Sequence, residues 1–472
     1  MHGFRYILFK SSWLIRPDLG KILTTISSSF VIKIPFVYHH PKNTILVYGL
    51  LEDHLDIPKF RDSFLQLLES KDLKGNPIYP EMKMYIKNYC GFFFWKSVPD
   101  FSIENHVRIY DNSLLDALAT EDLDLTELNS ETVVRLAQNI IKRPFPVKQS
   151  PWEFLLYHNK IQENTPESDC VKKTMVAIRL HHSLADGYSL FNLVMKHAGA
   201  NVEQAKPNFK RPRSLAYIIR TLLLPFWMPY EMISQFFHCY DSNAWHLPEK
   251  TMARDNCGVV TATLSTQFVK NIKTMHQASF AGVVLTALAG GIRKTMILNQ
   301  VKLPEQIHCL TPLPLPNHPD KLRNHMTGCF VKLPLDAMDS HQRLKAVEKN
   351  LLKIRGSTVL QTNYLMNKVV GGTVSFISKR LWKPVICTTT LSSFPGPENE
   401  ISYLGHRMLS SGFMGNVDVG NIGINMTMFS YNGNLDICLT VDRSILETKE
   451  QSRELMEHIL SELHALTKDC VV

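Results

Sequence analysis

The chain has 472 residues, 44% of them hydrophobic, and 52 basic against 43 acidic side chains give a formal net charge of +9. That length exceeds what one hydrophobic core usually organises, so two domains are expected, and the apolar content excludes a disordered chain. The charge suits an anionic partner such as a phospholipid surface or a phosphorylated cofactor; with no RNP, zinc-finger or basic-aromatic pattern, nucleic acid is disfavoured.

Nine cysteines are scattered from Cys90 to Cys470 without a CxxC pair, as expected for reduced thiols rather than a disulfide framework or structural zinc. The opening MHGFRYILFKSSWLIRPDLGK is broken by Arg5, Lys10, Arg16 and Asp18, so it lacks the apolar core of a cleavable signal. Residues 1–44 show no clear periodicity and have no assigned role. TILVYGLL, from Thr44, predicts a buried strand, and IPKFRDSFLQLLES predicts a helix with Ile57, Phe60, Phe64, Leu65 and Leu68 at helical spacing. CGFFFW, PWEFLLYH and VKKTMVAIRL are strand-like, and NSETVVRLAQNIIK is helical. Alternating strands and helices predict an α/β layered domain over residues 45–205.

Residues 206–255 look like a linker. Lys206, Lys210, Arg211 and Arg213 precede the apolar LAYIIRTLLLPFWMPYEMISQFFHCYD, whose longest uncharged run, Thr221 to Tyr230, contains Pro225 and Pro229. A spanning helix needs roughly 20 apolar residues, so this is no ordinary transmembrane segment. An interfacial segment drawn to anionic lipid and a crossover packed on two domains both fit the composition. From 256 to 472 the α/β pattern resumes: GVVTATLS and GCFVKLPL predict strands, FAGVVLTALAGGIRKTMIL an amphipathic helix and SHQRLKAVEKNLLKI a charged one. A hairpin follows, turning at Asn432-Gly433, and the final helix places Leu455, Ile459, Leu463 and Leu466 on one face.

Between the strand TMVAIRL and the helix YSLFNLVMKHA lies HHSLADG, His181 to Gly187. Adjacent strand side chains point to opposite faces, so one of His181 and His182 lines a cleft while the other packs into its own domain. Asp186 stands where a short acceptor caps the first helical N–H groups, and Gly187 supplies freedom for a tight bend. A neutral imidazole suits proton abstraction from an alcohol at neutral pH. No GxSxG elbow exists in the chain, which favours direct attack by a substrate hydroxyl over a serine-centred route. Diverging neighbours without HExxH or a third ligand argue against a metal. The pair His39-His40 lacks a following Asp-Gly, and Pro41 intervenes, so it is taken as ordinary surface or packing histidines.

HHxxxDG resembles the signature of the CoA-dependent acyltransferase superfamily. Four further segments are similar to the wax ester synthase/diacylglycerol acyltransferase branch: FSIENHVRIYD; FPVKQSPWEF with Pro146, Pro151, Trp152 and Glu153; LSSFPGP; and SYNGNLDICLTVDRSIL. The resemblance runs from about Ile45 to the C-terminus. It implies two similar chloramphenicol-acetyltransferase-like domains with a tunnel between them, admitting acyl-CoA from one side and an alcohol from the other. It further implies His182 as general base, Asp186 as a structural group holding the turn and the His182 ring, Gly187 at the bend, and His181 in packing or catalysis. Trp152 and Glu153 are expected to serve the fold. Pro395 and Gly396 shape a loop that would border the tunnel mouth, and Asn432-Gly433 is first a turn and only secondarily a substrate contact.

The chain departs from the branch in having Ala281-Gly282 where the family has Asn-Asp, a pair linked there to full activity. Either another group compensates or the acceptor has changed. The implied protein transfers a long acyl chain from acyl-CoA, a co-substrate, to a fatty alcohol or diacylglycerol, with no further cofactor. It is expected on the cytosolic face of the endoplasmic reticulum or a lipid droplet. A catalytically weakened lipid- or acyl-CoA-binding protein of the same fold, and an acetyl-transferring or condensing enzyme, are the alternatives.

Overall fold

A computed structural model describes residues 2–32, 43–110, 128–159, 171–199, 215–253, 257–319, 321–381, 387–415 and 420–468. Helix α1 (His2–Ile15) lies on a β-hairpin further along the chain and is followed by the short α2 (Thr25–Ser29), capped by Thr24. The apolar run predicted from Thr44 forms β1 (Thr44–Glu52). Asp56 caps α3 (Ile57–Leu68), with Pro58 in its first turn where a missing N–H costs nothing. Next come β2 (Met84–Tyr89) and β3 (Phe92–Ser97), the short β4 (Val107–Ile109), α4 (Ser130–Lys142), β5 (Trp152–His158), β6 (Lys173–His181) and α5 (Gly187–His197). Helices α6 (Leu215–Leu222) and α7 (Leu224–His238) occupy the expected linker.

The second half contributes β7 (Cys257–Ser265), α8 (Thr266–Met275), α9 (Phe280–Leu298), β8 (Gln306–Pro314), β9 (Met326–Pro334), α10 (Ser340–Arg355), α11 (Val359–Gly372) and α12 (Ser375–Leu381). It ends with β10 (Thr389–Pro395), β11 (Ser402–Tyr403), β12 (His406–Gly415), β13 (Ile424–Tyr431), β14 (Asn434–Asp442) and α13 (Lys449–Lys468). Two six-stranded mixed sheets result, ordered β11-β12-β1-β6-β5-β4 and β7-β14-β13-β10-β8-β9, with β2-β3 as a separate hairpin.

The chain does not divide cleanly at residue 256. Strands β11 and β12 leave the second half and join the first sheet, β12 running antiparallel to β1 from Ile45↔Gly415. Tyr403, Met408 and Phe413 thereby enter the first core beside Phe60, Phe64 and Trp152. Burial of this apolar face, together with satisfaction of the free edge of β1, accounts for the excursion. Tyr403 also seals the junction: its hydroxyl meets His197 Nδ1 at 2.8 Å, while Ser63 Oγ meets Nε2 at 2.8 Å.

Helix α9 differs from its expected amphipathic character. It is apolar around nearly its whole circumference and lies in the second core against α13 and β9. By length and composition it is the one helix among the described residues able to cross a membrane, but its surroundings are protein. Helices α6 and α7 are too short to span one. They are also inverted: Leu215, Ile218, Ile219 and Leu222, then Phe226, Tyr230, Ile233 and Phe237, follow helical spacing and face outward. The inward side buries Tyr217 and Leu224 but is otherwise held by polar contacts, with Glu231 accepting from the hydroxyls of Thr358 and Thr362 and Gln235 paired with Asn363. Lys206, Lys210, Arg211 and Arg213 lie outside the described residues, as do His39 and His40.

Candidate active site

The HHSLADG turn joins β6 of the first sheet to α5 and faces the loop that enters β9 of the second. Strand alternation separates the two histidines as expected. His181 is buried in its own half, its Nδ1 accepting from the Ser183 N–H at 3.1 Å with Ser183 Oγ at 2.7 Å. His182 lies between the two halves, only partly covered, and its Nδ1 is 2.9 Å from Asn324 Oδ1. Burial is the main influence on the His182 imidazole and pushes its pKa below the ordinary value; the Asp186 charge, the Asn324 bond and a weaker bond to the residue's own backbone oppose it. The ring is therefore neutral at pH 7, the form a general base requires.

Asp186 caps α5 by accepting from the Ser189 N–H at 2.9 Å. It also accepts from the His325 N–H at 2.8 Å and faces His318 Nε2 at 2.9 Å, pinning the β9 loop to the turn. Burial, the largest influence on this carboxyl, raises its pKa, but His318 and the two N–H donors outweigh it and hold the carboxyl below its usual range. The expectation that Asp186 grips the His182 ring needs correction. No hydrogen bond joins them; Asn324 makes that contact, and Asp186 acts on the ring only through its field and through the loop carrying Asn324.

Gly187 is also assigned differently. It opens α5 without a left-handed φ, and a β-carbon there would meet the Phe394 ring at an ordinary 3.6 Å. Phe394 in turn packs on Phe191 and Phe429, so the end of β10, with Pro395 and Gly396, is brought beside the turn. Gly396 is pressed against β13, where a β-carbon would run into the Ser430 carbonyl oxygen and the Phe429 ring. Asn432 and Gly433 stand exposed at the hairpin tip with φ of 48° and 75°, which the turn alone requires.

Glu153 is a fold residue in this geometry. Its carboxylate takes the buried Arg179 guanidinium and Arg108, while Arg179 also donates to the Ile140 carbonyl in the last turn of α4 and to the Pro144 carbonyl just after it. The Trp152 indole donates to the Met82 carbonyl at 2.8 Å. At Ala281-Gly282 a carboxylate from another helix stands beside the chain. Glu348 of α10 reaches the start of α9 and accepts from the Ser279 N–H at 2.8 Å and hydroxyl at 2.6 Å. It fills the space a side chain at 282 would need, so a β-carbon there would collide with its carboxylate. A carboxylate at a helix N-terminus is favourable whichever residue carries it.

Phe30, Ser27, Asn324 and His318 escaped sequence reasoning. Phe30 stacks on the His182 ring at 4.2 Å and 8°, and Asn324 Nδ2 donates to Ser27 Oγ at 3.1 Å. These residues lie more than a hundred positions from the motif, and no local pattern marks them.

Two such sheets meeting at an HHxxxDG turn place the chain in the chloramphenicol-acetyltransferase-like fold class. The fold is that of the wax ester synthase/diacylglycerol acyltransferase from Marinobacter aquaeolei VT8 (TM-score 0.57, 12% identity, 94% of this chain and 98% of that one). A starter condensation domain of rhizomide synthetase, solved with C8-CoA and Leu-SNAC, is also similar (TM-score 0.60, 11% identity, 96% of each chain). A family model described as WS/DGAT C-terminal domain matches residues 322–466. Two Mycobacterium tuberculosis proteins (strain H37Rv) named for diacylglycerol O-acyltransferase activity are 26% identical over 36% of each chain, and 23% identical over 58% of this chain and 64% of the relative. Residues 322–466 are thus similar to the C-terminal domain of the wax ester synthase/diacylglycerol acyltransferase family, and the whole chain shares that family's fold. These matches span about a third to just under two thirds of the curated relatives' lengths.

Proposed function

We propose that this protein is an O-acyltransferase that moves a long acyl group from acyl-CoA to a lipid alcohol, a fatty alcohol or a diacylglycerol, at a membrane surface. The observation that carries the reading is His182: a neutral imidazole between the two halves, its Nδ1 engaged by Asn324 and its Nε2 without a hydrogen-bond partner among the described residues. Nε2 removes the acceptor hydroxyl proton as the oxygen attacks the thioester carbonyl. The tetrahedral intermediate collapses by breaking its carbon–sulfur bond, and the imidazolium returns the proton to the departing CoA thiolate. The scheme balances with two substrates and calls on no metal or bound cofactor.

The outward apolar faces of α6 and α7 support the lipid side of this reading. An aqueous surface disfavours such a face, whereas an interfacial helix buries it among acyl chains. The cytosolic face of the endoplasmic reticulum or a lipid droplet would supply both acyl-CoA and the acceptor.

The test is CoA release from palmitoyl-CoA by detergent-solubilised protein, wild type beside His182→Ala. Hexadecanol and dioleoylglycerol are offered separately and products identified by mass. Ester from wild type, reduced at least about 100-fold in the variant, is expected. Equal rates refute the role of His182. Tight acyl-CoA binding without ester from either protein selects the weakened lipid-binding alternative.

A further inference from the structure

The His182 ring is held on two sides by residues from distant parts of the chain. Asn324, buried in the loop before β9, donates from Nδ2 to the main-chain carbonyl of His182 itself at 2.6 Å. That carbonyl can only accept, so the amide orientation is settled: nitrogen toward the main chain, oxygen toward the imidazole. The oxygen also only accepts, so the 2.9 Å contact obliges His182 Nδ1 to carry the proton. A neutral ring in that tautomer presents a lone pair at Nε2. A second amide hydrogen goes to Ser27 Oγ at 3.1 Å, which anchors Asn324 from the N-terminal segment.

That segment also supplies Phe30, parallel to the imidazole at 4.2 Å. The Phe30 carbonyl accepts from Asn43 Nδ2 at 3.0 Å, and the Asn43 carbonyl accepts from the His182 N–H at 2.8 Å. The Asn324 loop is stitched to the turn in the same manner. The Arg323 carbonyl accepts from the Ser189 hydroxyl at 2.9 Å, and the Asp186 N–H points to it at 3.2 Å. A change in the ring's orientation would break contacts with both halves of the chain.

We propose that Asn324 is the positioning residue that fixes the His182 tautomer, with Phe30 setting the plane of the ring, so that residues 25–32 complete the active site. The proposal rests on His182 being the base. It assigns to an amide from the second half and a phenyl ring from the N-terminal segment the orienting task expected of the motif's own carboxylate.

Asn324→Leu, Asn324→Asp and Phe30→Ala are compared with wild type. Rates are read from about pH 5 to about pH 9, and the His182 tautomer by nitrogen NMR of histidine-labelled protein, with His182→Gln supplying the assignment. Asn324→Leu should lower kcat about 100-fold with KM for palmitoyl-CoA little changed, because only the proton-transfer step loses its geometry. Because the Asn324 bond raises the His182 pKa, its loss should move the acid limb to lower pH. Asn324→Asp keeps an acceptor at Nδ1 and adds a charge, so it should retain more kcat than leucine and move the limb upward. Phe30→Ala should lower kcat less than Asn324→Leu and leave Nδ1 protonated. A wild-type tautomer with the proton on Nε2, or an Asn324→Leu enzyme with wild-type kcat and pH profile, overturns the proposal. Absence of wild-type turnover would count against the transferase reading, while the NMR tautomer would still decide the role of Asn324.

Discussion

Replacing Leu222, Phe226, Trp227 and Phe237 by serine should detach the protein from lipid without unfolding it. These side chains are 75%, 81%, 44% and 72% exposed, so the folded core loses little. Full burial of such a side chain is worth about 1.5–3 kcal/mol, and weighting by exposed fraction gives about 6 kcal/mol for the set if every exposed part enters hydrocarbon. An interfacial helix inserts only partway. Half that value, about 3 kcal/mol, corresponds to a roughly 100-fold weaker partition at 1.4 kcal/mol per decade. Sedimentation with vesicles of phosphatidylcholine and phosphatidylserine reads this directly, with melting temperature as the control for folding. Salt should weaken the wild-type binding as well, given the basic residues Lys206, Lys210, Arg211 and Arg213 just ahead of α6 in the sequence. Unchanged vesicle binding by a folded quadruple variant would refute the assignment of this face to lipid.

Burial pushes the His197 imidazole down to about 4, and its two ring nitrogens are already paired with Ser63 and Tyr403. The unfolded chain titrates near 6.5, so stability conferred by the neutral ring is complete above that pH. It is lost progressively as pH falls toward about 4, by up to about 3 kcal/mol. Melting curves over this range should be flatter for His197→Gln, and parallel curves would count against it. Gly282→Asp should destabilise modestly, since its side chain must displace the flexible Glu348 carboxylate from the Ser279 donors; adding Glu348→Ala should cost less than the two single changes summed, and a strictly additive double variant would show that the two positions do not share this space. Gly187→Ala should leave melting temperature within a few degrees, because the site has a helical φ and ordinary clearance to Phe394; collapse of the fold would show that the bend needs glycine after all.

Elements with a local signature were legible in the chain. The run from Thr44 became β1, the spacing of Phe60, Phe64 and Leu68 became α3, and Asn432-Gly433 became a turn with both residues at positive φ. Asp186 was recognisable as a cap because capping is decided within three residues. What sequence could not disclose depends on contacts made far along the chain. Asn324 meets His182 across 142 positions, and β12 leaves its own half to close the edge of β1. Gly187 misled because glycine implies freedom only when φ demands it, and here φ does not. Helix α9 looked one-sided by composition, yet protein covers most of its circumference.

The borrowed strand also sets a timetable for synthesis. Ile45 leaves the ribosome 370 residues before its partner Gly415. At about 5–20 residues per second, that edge of β1 waits roughly 20 to 70 seconds for β12. During that interval the nascent first half carries an open, largely apolar strand edge, the feature most prone to pairing with a neighbouring chain. Chaperone demand should therefore fall on the first half, and truncation before residue 402 should yield a protein that aggregates rather than one that is merely inactive.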